Sequence, residues 1–328
     1  MKQTNLSIFI PHIGCPHRCS FCDQKSISGA QKAPGGEEVR ALLDEQAQSL
    51  ISRGISAEIA FFGGSFTAVP RGYMTELLQA AHYGLEKYPC YNGIRCSTRP
   101  DCIDAEIIAL LREYGVTAVE LGAQSMCDEV LLANERGHTA RDVCRASQMI
   151  NDSGLELGLQ MMTGLYKDTP ERCIDTAEKF IALSPKTVRI YPTVILEGTR
   201  LAKLYRSGEY KSFGFDETVE LCARLLRRFE SAGIRVIRMG LHASPEVERE
   251  MLGGVYHPAF RELCESRLFY EDMKEMLLPK EKGAYTIYTD SRNISKAVGQ
   301  KRSNIEKLSA LGYSVTVKPR SGAYIELN

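Results

Sequence analysis

The sequence predicts an α/β protein built on a parallel sheet, and three features of its 328 residues predict it. Short apolar runs alternate with longer stretches of helical periodicity. Glycines stand where each helix should stop and the next strand begin. The rhythm then fails near Ser244, and a different pattern of strands and short helices closes the chain. Parallel neighbours need a crossover between them, so alternating β and α elements lay helices on the faces of one sheet.

Leu6–Pro11 reads as the first strand. One lysine and a short apolar stretch that soon meets Pro11 and His12 make a poor export signal. Ala57–Phe62, Gly93–Ser97, Val116–Leu121, Leu155–Met161, Thr187–Tyr191 and Arg235–Leu241 follow as strands. Between them lie the amphipathic stretches Glu37–Ser52, Tyr73–Leu85, Ala140–Asn151, Pro170–Leu183 and Glu217–Ala232. The first, EEVRALLDEQAQSLIS, repeats its apolar residues at helical spacing. Gly54, Gly115, Gly154 and Gly233 each end a helix just before a strand. Six or seven such units in about 240 residues can close a partial barrel or lie in an open, doubly wound sheet. No GxGxxG follows the first strand, which argues against a dinucleotide site. In either arrangement the chemistry belongs at the carboxyl ends of the strands. The expected organisation is a barrel-like domain over residues 1–243, a connecting segment over 244–282 and a small α/β domain over 283–328.

Composition is that of a globular protein, 44% hydrophobic and 25% charged. No apolar run reaches the roughly 18 residues of a membrane-spanning helix, so no membrane role is expected. The 41 basic and 41 acidic residues cancel. From Pro279 onward, however, nine Lys/Arg face four Asp/Glu, a tail of +5 on a body of −5. Such a tail suits a polyanion partner or a solvated surface equally. Of eleven cysteines, eight are scattered, as expected of reduced, buried thiols in a cytoplasmic protein rather than of a disulfide framework.

The other three fall together in IGCPHRCSFCDQ, as Cys15, Cys19 and Cys22. Structural zinc wants a closed set of four ligands. His12 or His17 could complete one, but no second CxxC or HxxxH stands nearby. Three thiolates on a four-iron cluster leave one iron open, which is a defect for structure and an opportunity for catalysis.

The spacing Cys15-x3-Cys19-x2-Cys22, with Phe21 before the last cysteine and a first strand before the cluster, resembles that of the radical S-adenosylmethionine (SAM) enzymes. The resemblance implies a partial (β/α)6-type barrel. It also implies a 4Fe–4S cluster on Cys15, Cys19 and Cys22, and SAM bound at the open iron and reductively cleaved to a 5′-deoxyadenosyl radical. A reductant protein of flavodoxin or ferredoxin type would supply the electron. Gly63-Gly64-Ser65, in FFGGSF at the end of the second strand, matches the turn that approaches the methionine part of SAM. Many members of the family have Glu where this chain has Ser65. Further strand-end matches are STRPD (97–101), ELGAQS (120–125), RGHT (136–139) and IYPT (190–193). They resemble the radical SAM domain of the Elongator catalytic subunit and, more loosely, the oxygen-independent coproporphyrinogen oxidases, over roughly residues 5–242. By that resemblance Arg99, Gln124, Ser125, Gln160 and Arg189 line the cavity near SAM or substrate. Each also has a plainer reading: Arg99 as a turn residue before Pro100, Gln124 and Ser125 as strand-end turn chemistry, Gln160 as a buried amide that needs partners. Glu120 is expected to pair with Arg99 or Arg189. His138 reads as the start of a helix, and Tyr191 as core or substrate wall. Only about 85 residues follow Leu241, too few for the acetyltransferase domain of the Elongator subunit in its usual form, so its acetyl-CoA-dependent reaction is not carried over. Methylthiolation is disfavoured because no second cysteine triplet exists.

The end of the chain parses as strand, short helix, turn, helix, strand, with Ile294, Val298, Ile305, Leu308 and Leu311 on its apolar face. The turn Gly299-Gln300-Lys301-Arg302 resembles the GxxG loop of a KH domain, which clamps a nucleic-acid backbone, with Arg302 in place of the last glycine. Lys296, Gly299, Lys301, Arg302 and Lys307 are the candidate RNA contacts. The alternative is a small appendage packed on the barrel. The leading expectation is a radical SAM enzyme acting on RNA, a tRNA base above all. The alternatives are one acting on a tetrapyrrole or modified nucleobase, and a non-catalytic Fe–S scaffold.

Overall fold

The structure, a computed structural model, describes residues 2–10, 14–15, 18–23, 32–242 and 244–327. Seven parallel strands form the main sheet: β1 (Lys2–Phe9), β2 (Ile55–Phe62), β3 (Tyr91–Thr98), β4 (Val116–Gln124), β5 (Glu156–Thr163), β6 (Thr187–Pro192) and β8 (Arg235–Met239). They lie in chain order, β1-β2-β3-β4-β5-β6-β8, and curl into a half-barrel. A strand period of two divides each one. Ile59, Phe61, Ile94, Cys96, Val119, Leu121, Leu159 and Ile190 are buried in the main core. Their neighbours Ser97, Gln160, Arg189 and Arg238 line the barrel interior.

Helices α1 (Gly36–Ser52), α2 (Arg71–Lys87), α3 (Ala105–Glu113), α4 (Asp128–Ala133), α5 (Ala140–Asp152), α6 (Pro170–Ala182), α7 (Arg200–Arg206) and α8 (Phe215–Ser231) occupy the crossovers. The longer ones bury the expected stripe, Val39, Leu43 and Ala47 on α1 and Leu221, Leu225 and Phe229 on α8. The six, seven and nine residues of α4, α7 and α3 complete too few turns to stand out as periodicity.

The segment after β8 is more regular than its mixed sequence suggests. It forms α9 (Pro245–Glu250), β9 (Met251–Gly254) and the 18-residue α10 (Phe260–Leu277). β9 pairs antiparallel with β7 (Val194–Leu196), Ile195 opposite Gly253, and so covers part of the barrel mouth. α10 is apolar on two faces. Phe260, Cys264 and Leu268 join the barrel core, whereas Phe269, Tyr270, Met273 and Leu277 join a second core with the chain's end.

That end is β10 (Gly283–Thr289), α11 (Ile294–Val298), α12 (Ser303–Ala310), β11 (Tyr313–Pro319) and β12 (Glu326–Leu327). β10 is central, parallel to β11 and antiparallel to β12. Among the described residues no helix is long and apolar enough to cross a membrane.

Candidate functional site

The cysteine loop follows β1 and is fixed from far along the chain. Gly14 adopts φ +77°, and a Cβ there would meet the Ser65 carbonyl oxygen at 2.4 Å and the Val69 nitrogen at 2.7 Å. The loop thus lies directly on the turn after β2. Ser20 is fully buried. Its hydroxyl donates to Asn134 Oδ1 at 2.7 Å, its N–H donates to the Asn134 carbonyl at 3.1 Å, and its own carbonyl accepts from the Leu201 N–H at 2.7 Å. Asn134 in turn donates to the carbonyls of Val130 (2.8 Å) and Tyr166 (2.9 Å). Arg136, also buried, donates from Nη1 to Cys19 Sγ at 2.9 Å and from Nη2 to the Gly122 carbonyl. Its guanidinium lies 5.9 Å from the Phe21 ring centroid.

Burial first, then the nearness of Cys19 and Cys15, pushes the Cys22 thiol up to about 12, and burial and Cys19 raise Cys15. The three sulfurs therefore share one poorly solvated region in which thiolates need a cation. Among the described residues no three His, Cys, Asp or Glu side chains gather around one point tightly enough for a single ion. Cys15, Cys19 and Cys22 supply a soft, all-sulfur donor set, the chemistry that iron–sulfur clusters take. His12 and His17 lie outside the described residues.

Cys22 borders a cavity of about 550 Å³ at the barrel mouth. Of the eight candidates for binding SAM or substrate, four line it: Gly63, Gln124, Gln160 and Arg189. Gly63 (φ +80°) and Gly64 (φ +47°) turn the chain after β2. Gln124 ends β4 at φ +68°, a left-handed conformation rare for a residue with a side chain. Its amide oxygen is buried and has no partner among the described residues, at a cost of roughly 1–3 kcal/mol unless a ligand donates to it. An orphaned acceptor beside a lining cysteine is the feature that SAM, with its amino groups, would complete.

Ser65, Arg99 and Ser125 belong to the wall. Ser65 is fully buried, shares a hydrogen bond of 2.9 Å with Thr98 Oγ1 and accepts from the Arg99 N–H at 3.2 Å. Arg99 forks onto Asp101 at 2.9 and 2.8 Å, and its charge reaches Cys15. Ser125 Oγ accepts from the Cys127 N–H at 3.1 Å.

Glu120 pairs with Arg189, as one of the two expected alternatives had it, and not with Arg99. Arg189 Nε and Nη2 reach its two oxygens at 2.5 and 2.8 Å, Arg95 Nη1 lies at 3.4 Å, and Gln160 donates at 3.1 Å to Glu120 and at 2.9 Å to Ser97. Burial alone would lower the Arg189 pKa, but Glu120 more than offsets it and holds the guanidinium charged. His138 is buried and starts no metal site; its Nε2 meets the Ala123 carbonyl at 3.2 Å, and burial and Arg136 lower its pKa to about 4. Sequence reasoning gave no role to Asn134, Arg136 or Arg238. RGHT was visible as a motif, but its contact with Cys19 spans 117 residues.

Of the candidate RNA contacts, Lys296 pairs with Glu265 on α10 at 2.7 Å, and Lys307 lies 5.5 Å from the Tyr270 ring centroid. Gly299 is buried at φ +80°, while Lys301 and Arg302 are exposed on consecutive left-handed residues at φ +51° and +65°.

A family model for the radical SAM superfamily matches residues 9–180, and one for the Radical_SAM C-terminal domain matches 185–269. Human Elongator complex protein 3 is 31% identical over 201 residues, which cover 56% of this chain and 37% of that protein. Uncharacterized protein MJ0486 of Methanocaldococcus jannaschii is 27% identical over 247 residues, 71% of this chain and 74% of that one. The chain thus spans little more than a third of the Elongator relatives it matches. Among solved structures, the archaeal Methanocaldococcus infernus Elp3 superposes with a TM-score of 0.62 at 20% identity, covering 84% of this chain and 63% of that one. Coproporphyrinogen III oxidase from Escherichia coli superposes with a TM-score of 0.52 at 16% identity, covering 82% and 59%. These two likenesses establish the fold.

Proposed function

The chain belongs to the radical SAM superfamily, enzymes that use a 4Fe–4S cluster and SAM, and on that premise we propose that it modifies RNA, acting on a base of tRNA. Cys15, Cys19 and Cys22 hold the cluster. When bound, cluster and SAM supply one-electron cleavage of the sulfonium and a carbon radical that takes hydrogen from the substrate. The electron comes from a flavodoxin- or ferredoxin-type protein in the cytoplasm.

The chain's own residues position and shield. The Ser20–Asn134 pair and the Leu201 N–H hold the cysteine loop on the barrel. Gly63-Gly64 let the backbone approach the methionine part of SAM. Gln124 Oε1 accepts from one of its N–H groups. Arg189, braced by Glu120, gives the cavity a fixed donor, and Gln160, whose amide N–H groups are taken by Ser97 and Glu120, gives it an acceptor. Phe9, Phe62 and Met162 keep much of the lining apolar and exclude water. The RNA backbone runs over the exposed Lys301 and Arg302.

The observation that carries the reading is that Cys22 and the unpartnered Gln124 open on one cavity. The likeness to the Elongator subunit and the basic loop support the RNA part. Anaerobically reconstituted protein with dithionite is expected to release 5′-deoxyadenosine from SAM. No release with or without bulk tRNA would refute the enzymatic reading. Mass comparison of tRNA nucleosides from cells with and without the gene is expected to reveal one missing modification. Identical nucleosides would overturn the RNA assignment and favour a tetrapyrrole or a free modified nucleobase.

A further inference from the structure

Two arginines of the sheet's inner strands are paired with carboxylates. Arg95 forks onto Glu58 at 2.9–3.1 Å, and Arg189 onto Glu120 at 2.5 and 2.8 Å. Arg95 also lies 3.4 Å from Glu120 and 3.8 Å from Glu156. Arg238 is the third cation. It stands on β8 directly across from Arg189 on β6 and lines the same cavity. Its Nε donates at 3.0 Å to the carbonyl of Gly240, just past the strand's end, so the side chain runs toward the mouth. Among the described residues no carboxylate lies within 4.0 Å of it. A half-buried guanidinium that lines a cavity without a carboxylate partner offers its Nη groups to an anion.

Tyr191 lines the cavity beside it, near enough that both Arg189 and Arg238 act on its phenol. The Tyr191 hydroxyl oxygen also accepts a hydrogen bond from the Arg189 guanidinium. Two donors therefore face the cavity together, a fork and a single O–H, the pattern suited to a phosphate's oxygens. The SAM turn lies on β2, with β3, β4, β5 and β6 between it and β8 in the sheet. Tyr191 on β6 and Arg238 on β8 thus lie four and five strands along the sheet from the turn expected to meet the methionine part of SAM.

We infer that Arg238 and Tyr191 form an anion subsite that takes an RNA phosphate flanking the nucleotide whose base enters the cavity; this rests on the RNA reading above. An extruded base carries its two phosphates to the rim of the pocket that receives it. A guanidinium on the last strand, reaching upward, meets one of them there. The contact fixes register on the strand and carries no base identity.

The test measures binding of bulk tRNA by the anaerobically reconstituted protein at about 50 and 200 mM salt. It compares the parent with Arg238→Gln, Arg238→Lys and the remote Lys301→Ala/Arg302→Ala pair, and follows SAM binding by equilibrium dialysis. Arg238→Gln is expected to weaken tRNA binding about tenfold at the lower salt and to reduce the salt slope by about one. Arg238→Lys is expected to retain most of the slope, and SAM affinity is expected to be unchanged in both. A slope in Arg238→Gln equal to the parent's overturns the subsite, and if the Lys301/Arg302 pair still flattens the slope, RNA binding itself stands. A fall in SAM affinity with tRNA binding intact assigns Arg238 to SAM and also overturns it. A parent protein without salt-sensitive tRNA binding overturns both the subsite and the RNA reading. Should the glutamine variant misfold, the lysine variant decides: loss of the slope despite a native melting curve overturns the subsite.

Discussion

Glu120→Gln tests the internal scaffold of the site most directly. Glu120 is 1% exposed and receives two bonds from Arg189, one from Arg95 and one from Gln160. Gly158 makes room for it: a Cβ there would stand 2.8 Å from Glu120 Cγ. Glutamine keeps the size, removes the charge and turns one oxygen into a donor facing donors. Removing one partner of a buried pair costs about 3–5 kcal/mol, mostly through the charge left behind. Two features favour the lower end. Arg95 keeps Glu58, and the Arg189 side chain is 15% exposed to the cavity, where water can approach. We therefore expect about 3 kcal/mol. Unfolding entropy of about 2.1 cal/mol/K per residue over some 240 half-barrel residues is roughly 0.5 kcal/mol/K, so the melting temperature should fall by about 6 °C. Urea titration with unchanged slope measures the same loss independently. Adding Arg189→Gln removes the stranded charge, so the double variant should recover about 2 kcal/mol relative to the sum of the singles. A melting temperature within a degree of the parent, or strictly additive singles, would refute the view of Glu120 as the counter-charge that fixes Arg189.

Two further outcomes follow from the same structure. Gly14→Ala puts a methyl group against backbone atoms 2.4–2.8 Å away at φ +77°; at a strain of about 1–3 kcal/mol the cysteine loop should leave the turn after β2, and iron bound per chain after reconstitution should drop severalfold, with parental iron content counting against the packing argument. Hydrogen bonds from the Arg292 side chain and N–H hold the Asp290 carboxyl down to about 2 from an ordinary 3.8; being depressed, it stabilises the terminal unit above its ordinary value and loses that contribution as pH falls through about 2, so its NMR titration should have its midpoint near 2, Asp290→Asn should flatten the acid limb of stability between pH 4 and 2, and a midpoint near 4 would contradict the capping geometry.

The half-barrel was legible because both of its signals are local. Strand runs such as IAFF and VELGA, and helices that stop at Gly54 or Gly115, need only neighbours in sequence. α10 was illegible for a physical reason. It buries Phe260 and Cys264 on one side and Tyr270, Met273 and Leu277 on the other, so two cores blur the single stripe that identifies a surface helix. The site divides the same way. Cys15, Cys19 and Cys22 announce themselves by spacing. Which acid takes which arginine does not, since the register of β4, β5 and β6 brings Glu120 to Arg189, whereas Arg99 finds Asp101 two residues away. The place of Arg238 beside Arg189 follows from the pairing of β6 with β8, which no local pattern of the sequence announces.

The loop that carries the chemistry depends on that register too. Among the described residues, hydrogen bonds join it to Asn134, Arg136 and Leu201, and Phe21 packs in a cluster with Tyr166, Leu201 and Tyr210. All of these partners lie more than a hundred residues downstream, after β4, β5 and β6. Loop closure over such distances costs only slowly more with length, but nothing rewards the cost until those strands have paired. The contacts that hold the cysteines in place therefore come from segments that follow strands through β6. A four-residue grip at Ser20, Asn134, Arg136 and Leu201 then does for the loop what a short-range turn could not. It joins the metal-binding end of β1 to the end of β4 and the start of α7, on the face where the cavity opens.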